Sequence, residues 1–266
     1  MRIHQVFEAL LSSGKKALIP YITAGDPDLA VTEAAVLAMD QAGADIIELG
    51  VPYSDPLADG IVIQRAFQRA LEAGTNIHKV LDLVESLQGR IKAPWALLVY
   101  FNPVYQYGIE NFIARCAAAG VTGLIIPDLP LEERTELQRT LEDRSCPLDL
   151  IPLVAPTSGE RISRVVAGAT GFVYAISSKG VTGVRKQFAE DLESFIGQIR
   201  AATNLPIALG FGIGDVETVA RIKHLVDGVI LGSVLVQMIE NAATTDEGVE
   251  QVSSFIRALR IELGGG

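Results

Sequence analysis

Glu48, Asp55 and Asp59 fall in one short stretch, "IELGVPYSDPLADG" (47–60), which starts as a buried strand and breaks into a loop of turn-forming residues. Side chains alternate along a strand, so Ile46, Glu48 and Gly50 share one face while Ile47 and Leu49 share the other. Large apolar residues belong against covering helices, which turns Glu48 toward the opposite, inner face. A carboxylate there is costly unless paired, protonated or wet. Partial burial raises its pKa and suits it to general acid or base work; the bland alternative is a strand-end acid held by a loop amide. Asp55 before Pro56 and Asp59 before Gly60 are ordinary turn chemistry when taken singly. Two acids beside an inward glutamate shift the balance toward function, although the spacing does not say which one meets a substrate.

Other chemistries lack their parts. His4, His78 and His224 lie on predicted helices away from strand ends, and neither an H-x-x-x-H nor a C-x-x-C pattern occurs, so no metal is expected. No lysine lies inside a predicted strand to form a Schiff base; the nearest, Lys179, falls beyond the sixth. No histidine is placed to activate a serine. Acid/base chemistry without metal or covalent intermediate is what remains.

The elements that must position these acids alternate. Eight short apolar runs are read as strands: 17–23, 45–51, 95–101, 123–129, 148–154, 171–177, 206–212 and 228–234. Helix-period stretches separate them, and a closing helix is expected at about 245–262. Near-continuous apolar strands alternating with helices indicate a parallel sheet covered on both faces. The expectation is a single (β/α)8 TIM barrel over residues 1–266, with an extra N-terminal helix and extended loops after strands 2 and 6. An open doubly wound sheet is the alternative, weakened because no strand-turn-helix carries a G-x-G-x-x-G fingerprint. In the N-terminal helix, Ile3, Val6, Phe7, Leu10 and Leu11 are expected on one face.

Composition narrows the partners. The chain has 266 residues, 49% of them hydrophobic, and a formal net charge of −10. Its pI is near 4.8 and its mean hydropathy is +0.32. No basic patch for nucleic acid or an anionic membrane is expected. No apolar run reaches the roughly 18 residues of a membrane span, and the N-terminus lacks the apolar core of a signal peptide. Cys116 and Cys146 make no disulfide framework. A soluble, cytoplasmic protein is the expectation.

Glycines cluster after the last strands, in "GVTG" (180–183), "GFGIGD" (210–215) and "LGS" (231–233). In barrels the loops after strands seven and eight often bind phosphate through backbone amides, and Ser233 can cap the helix that follows. The same strand parity places Ile19, Tyr21 and Thr23 together, and likewise Phe172, Tyr174 and Ile176. The substrate would then carry a phosphate at one end and meet Glu48 across the barrel mouth.

Seven segments, in order along nearly the whole chain, resemble the tryptophan synthase alpha chain family: "KALIPYITAGDPD", "IELGVPYSDPLADG", "YFNPVYQYG", "IPDLPLEE", "APTS", "YAISSKGVTG" and "GFGI". The resemblance implies a (β/α)8 barrel that cleaves indole-3-glycerol phosphate to indole and glyceraldehyde 3-phosphate. It places the catalytic glutamate at Glu48, the catalytic aspartate at Asp59 and a substrate-side tyrosine at Tyr174. It places the phosphate-binding backbone at Gly183, Gly212, Gly232 and Ser233, and a mobile-lid threonine at Thr182. Tyr21 stands where a phenylalanine is frequent in the substrate pocket, and the loop around Asp55 resembles the contact region for the beta chain. It also implies no cofactor in this subunit, pyridoxal phosphate in the beta partner, and an alpha2-beta2 tetramer. Ile61 departs from the usual proline after "ADG", which should loosen the turn beyond Asp59. Three other readings stay open: a stand-alone lyase releasing free indole, another phosphosugar barrel enzyme such as an isomerase, and a non-catalytic activating partner of the beta chain.

Overall fold

Strands that are apolar on both faces are stable only when both faces are covered, and the chain meets that demand with a closed parallel ladder. The structure, a computed structural model, describes residues 2–131, 133–143, 146, 148–176, 185–210 and 212–264, with side chains described for all but 143 and 185–190. Its strands are β1 (Ala17–Thr23), β2 (Ile47–Gly50), β3 (Trp95–Leu98), β4 (Val121–Ile125), β5 (Asp149–Leu150), β6 (Leu153–Val154), β7 (Val173–Ile176), β8 (Ile207–Gly210) and β9 (Gly228–Leu231). They pair in the order β5-β4-β3-β2-β1-β9-β8-β7-β6, every pair parallel.

The two ends of that ladder are consecutive in the chain. Between β5 and β6, the Ile151 N–H donates to the Leu124 carbonyl at 2.9 Å, and the Pro152 carbonyl accepts from the Tyr174 N–H at 2.9 Å. One strand thus turns from β4 toward β7 and closes a TIM barrel. The predicted strand 148–154 is split because Pro152 has no N–H to give the ladder.

The helices are α1 (Ile3–Ser12), α2 (Leu29–Gln41), α3 (Ile61–Glu72), α4 (Ile77–Ser86), α5 (Phe101–Tyr107), α6 (Ile109–Ala118), α7 (Arg134–Asp143), α8 (Ile162–Val166), α9 (Arg185–Ala202), α10 (Val216–Ile222), α11 (Ser233–Asn241) and α12 (Thr245–Glu262). Several starts carry oxygen caps, but the cap expected of Ser233 is not made: Gly232 is the N-cap of α11, without a side-chain hydrogen bond, and Ser233 is the first helical residue. Asp28 accepts from the Val31 N–H at 2.9 Å, Asn76 from the His78 N–H at 3.1 Å, and Thr244 from the Glu247 N–H at 3.2 Å. Two helices, α3 and α4, separate β2 from β3, the extended connection expected after the second strand. Most of the loop expected after the sixth strand, residues 177–184, lies outside the described residues. Among the described residues no helix is long and apolar enough to cross a membrane.

Period-two alternation sorts the core into two parts. Leu18, Ile22, Ile47, Leu49, Leu97 and Val99 pack outward against helices. Ile19, Tyr21, Ile46, Ala96, Leu98, Ile125, Ile151, Phe172, Ala208 and Ile230 fill the interior. Helix α1 plugs this inner core. Ile3, Val6 and Phe7 are buried, and Phe7 meets Phe172 with ring centroids 5.4 Å apart. Each such side chain contributes about 1.5–3 kcal/mol. The expected apolar face of α1 ends one turn early: Leu11, in its last turn, is 41% exposed. The third and fourth strands also end earlier than their apolar runs, at Leu98 and Ile125, because the runs continue into buried loops that hydrophobicity alone does not distinguish from strand.

Candidate active site

Glu48 sits in the middle of β2, in register with Tyr21 of β1 and Ala96 of β3, and points inward as the parity demands. It is fully buried, and neither carboxylate oxygen has a hydrogen-bond partner among the described residues. An unsatisfied buried carboxylate is expensive, so the group relieves the cost by holding a proton. Burial, and then the negative charge of Asp59, push its pKa up to about 8. At neutral pH Glu48 is a carboxylic acid with a proton to give.

Asp59 reaches the same space from the loop that runs into α3, whose N-cap is Gly60. The Tyr100 hydroxyl donates to Asp59 Oδ2 at 2.6 Å and accepts from the Ala58 N–H at 3.1 Å. Gln64 donates from Nε2 to the Asp59 carbonyl at 2.8 Å, one turn into α3. Tyr53 stacks on Tyr100 with centroids 5.0 Å apart, and Phe67 meets the Tyr100 ring edge-on at 6.5 Å. Burial raises the Asp59 pKa, and the Tyr100 hydrogen bond pulls it back. Burial also raises that of Tyr100, as does its bond to Asp59, which keeps it a neutral donor.

Two tyrosines reach the acids, Tyr21 from the neighbouring strand β1 and Tyr174 from β7 across the barrel. Tyr21 is buried, with its hydroxyl 3.2 Å from Thr23 Oγ1. Tyr174 is packed at the edge of the inner core. Burial raises the pKa of each, with Glu48 and Asp59 adding to it, so both remain neutral hydroxyls. Glycine makes room for both rings. A Cβ at Gly50 would lie 2.1 Å from the Tyr21 hydroxyl, and one at Gly210 would lie 2.5 Å from Tyr174 Cε1.

Glu48, Asp59, Tyr21 and Tyr174 line one cavity of about 420 Å³ together with Gly212, Gly232 and Ser233. That volume is in the range of small-molecule sites. Its apolar walls are Ile63, Leu98, Ile213, Ile230 and Val234, and among the described residues no lysine or arginine lines it. Backbone amides line the space where an anion can be met. Gly212, in the left-handed region at φ 76°, and the start of the nine-residue α11 at Ser233 offer them. Among the described residues, no group of three His, Cys, Asp or Glu converges to hold a metal ion.

Comparison with known proteins points the same way. The profile of the family "Tryptophan synthase alpha chain" matches residues 7–262. The chain belongs to the tryptophan synthase alpha chain family. It is 52% identical over 258 residues to the tryptophan synthase alpha chain of Alkaliphilus metalliredigens, covering 97% of this chain and 96% of that relative. It is 48% identical over 259 residues to that of Caldanaerobacter subterraneus subsp. tengcongensis, covering 97% and 98%. Among solved structures it is similar to tryptophan synthase subunit alpha from Legionella pneumophila, with a TM-score of 0.90 and 34% identity over 98% of each chain. It is also similar to tryptophan synthase from M. tuberculosis in an aminoacrylate-bound form, with a TM-score of 0.87 and 34% identity, covering 98% of this chain and 99% of that one. As an alpha chain it is a lyase of tryptophan biosynthesis.

Of the alpha-chain residues expected from sequence, Tyr21, Glu48, Asp59, Tyr174, Gly212, Gly232 and Ser233 come together in the cavity. Thr182 and Gly183 lie outside the described residues. Asp55 is exposed on the loop before Asp59 and does not line the cavity. Ile61 is the first residue of α3 and is 61% exposed. Tyr100 was within reach of the sequence but carried no role there. It follows Ala96 and Leu98 on the inward face of the third strand, a signal that the adjacent "NP" turn obscured. Gln64, which holds the Asp59 carbonyl, and Gln237 of α11, which lines the cavity, carry no signal in the sequence, since helical glutamines are common.

Proposed function

We propose that this chain cleaves indole-3-glycerol phosphate by a retro-aldol reaction to indole and glyceraldehyde 3-phosphate. The observation that carries the reading is Glu48: a buried, unpartnered acid that is protonated at neutral pH and shares a cavity with Asp59. Glu48 gives its proton to indole C3, and positive charge moves onto the ring nitrogen. The Asp59 carboxylate accepts a hydrogen bond from that N–H and stabilises the charge as it builds. The carboxylate of Glu48 then takes the proton of the adjacent side-chain hydroxyl. The bond from C3 to that carbon breaks, its electrons return to the ring, and the hydroxyl carbon becomes the aldehyde. Glu48 ends the cycle protonated as it began. Such acid/base groups contribute about 10² to 10⁴ in rate.

In this reading Tyr174 positions Glu48 and substrate, and Tyr21 packs on the indole. Amides at Gly212, Gly232 and Ser233, with Gly183, hold the phosphate, while Thr182 closes on Asp59. The whole chain, 1–266, acts as one barrel domain and uses no cofactor. Its partner is a pyridoxal-phosphate beta chain in a cytoplasmic alpha2-beta2 tetramer, with Asp55 on the contact loop. Exposure of Leu57 (83%) on the loop after β2 and of Tyr105 (68%) on α5, which follows β3, supports a docked partner there over a stand-alone lyase.

Indole release from indole-3-glycerol phosphate by the purified chain, with and without a beta chain, tests the reading. Slow release alone and fast release with the partner is the expected result. No release in either case would remove it.

A further inference from the structure

Two helices bring their N-termini to the cavity. Helix α3 starts beside Asp59, and α11 starts at Ser233. Under the proposed reading these starts serve opposite ends of the substrate, indole at Asp59 and phosphate at Ser233. The two helices pack against each other, and a single side chain ties them two turns behind the cavity. Arg69 of α3 donates from Nε and Nη2 to both carboxylate oxygens of Asp26, at 2.7 and 2.8 Å. Its Nη1 donates to Glu240, in the last turn of α11, at 2.7 Å. Asp26 belongs to the β1–α2 loop, and its side chain is only 5% exposed, so the fork is anchored to the barrel rather than to another mobile side chain.

We propose that Arg69 is a positioning residue: its three-way junction with Asp26 and Glu240 sets the separation of the two helix starts that grip the substrate's ends. A planar guanidinium is suited to this. It engages Asp26 bidentately and keeps a third donor in a fixed direction for Glu240. Lysine, as a compact point charge, would keep the attraction but not the angle. The cavity binds each end of the ligand wherever the helix starts stand. It binds both ends of one molecule well only when their spacing matches the linker.

The inference rests on the proposed substrate, and a ligand pair separates the two. The bridging probe is 3-(indol-3-yl)propyl phosphate, which lacks the hydroxyls needed for cleavage; the half-probes are indole and propyl phosphate. Affinities are measured on the full chain by calorimetry and ligand-observed NMR. In the unmutated chain the bridging probe should bind far more tightly than either half. In Arg69→Met that advantage should fall about tenfold or more, while the two halves bind as before. Arg69→Lys should recover part of it, and Glu240→Gln, which cuts only the arm to α11 and leaves Asp26 engaged, should show an intermediate loss. An unchanged advantage in Arg69→Met would overturn the inference, as would an equal loss for the probe and both halves, which marks a merely structural role. Failure of the unmutated chain to bind the bridging probe at all would overturn the substrate reading and this inference with it.

Discussion

The hydroxyl of Tyr100 donates a 2.6 Å hydrogen bond to Oδ2 of Asp59 while accepting the N–H of Ala58, so one side chain fixes both the acid and the backbone beside it. This bond opposes the effect of burial on Asp59. Tyr100→Phe removes it, and the Asp59 pKa should rise further. Because the carboxylate is the useful form, the acid limb of the kcat/KM profile should move to higher pH. Hydrogen bonds to charged groups are worth about 1.5–3 kcal/mol, so kcat should fall roughly ten- to a hundredfold. Steady-state kinetics across pH check both.

Glu48 has a second, thermodynamic signature. Its carboxyl stays protonated in the folded chain up to about pH 8, but ionises near its ordinary value of 4.5 when unfolded. Between those values the folded state binds the extra proton, so stability falls as pH rises, by about 1.4 kcal/mol per unit. Below the window the contribution is fully present; above it, it is lost. Glu48→Gln keeps the shape without the charge and should lack this slope. Denaturant unfolding of both proteins at pH 5 and pH 8 should show the variant gaining a few kcal/mol over its parent at the higher pH.

Gly210 and Tyr174 should behave as a pair. A methyl group at 210 would overlap the Tyr174 ring at 2.5 Å, and the ring is hemmed by the inner core. Gly210→Ala should cost about 1–3 kcal/mol by overpacking and displace the ring from the cavity. Shortening the clashing side chain in Gly210→Ala/Tyr174→Leu should restore much of the stability. Thermal unfolding of the single and double variants measures this, and additive losses would refute the steric account.

Ile61 can be replaced to advantage. It is the first residue of α3, where proline fits well because that N–H has no helical acceptor. Gly60 before it already has φ −73° and ψ 162°, the extended conformation that proline requires of its predecessor. Ile61→Pro should stabilise the chain by about 0.4–1 kcal/mol, mainly by restricting the unfolded state. Calorimetry should record a rise in Tm of about 1–3 °C.

The loosening that sequence suggests after Asp59 is offset by a contact that spacing does not reveal. Gln64 reaches back from α3 to the Asp59 carbonyl. The closing helix expected near 245–262 is observed at Thr245–Glu262, because a long amphipathic period with a threonine cap is a local signal. Strand ends at Leu98 and Ile125 were less legible, since burial continues past the last ladder bond.

The inward direction of Glu48, Tyr21 and Tyr174 was decided by the sequence alone, since period two admits only two faces and the helices claim the more apolar one. The alternation of strand and helix likewise settled a covered parallel sheet, while its closure into a barrel rests on the ladder bonds of Ile151 and Pro152. Only the tertiary structure decided that Glu48 has no hydrogen-bond partner among the described residues, that Tyr100 holds Asp59, and that Arg69 ties α3 to α11. Those facts depend on distances between residues 41 and 171 positions apart in the chain. Local periodicity says which way a side chain points; only ring closure of the ladder decides what it meets.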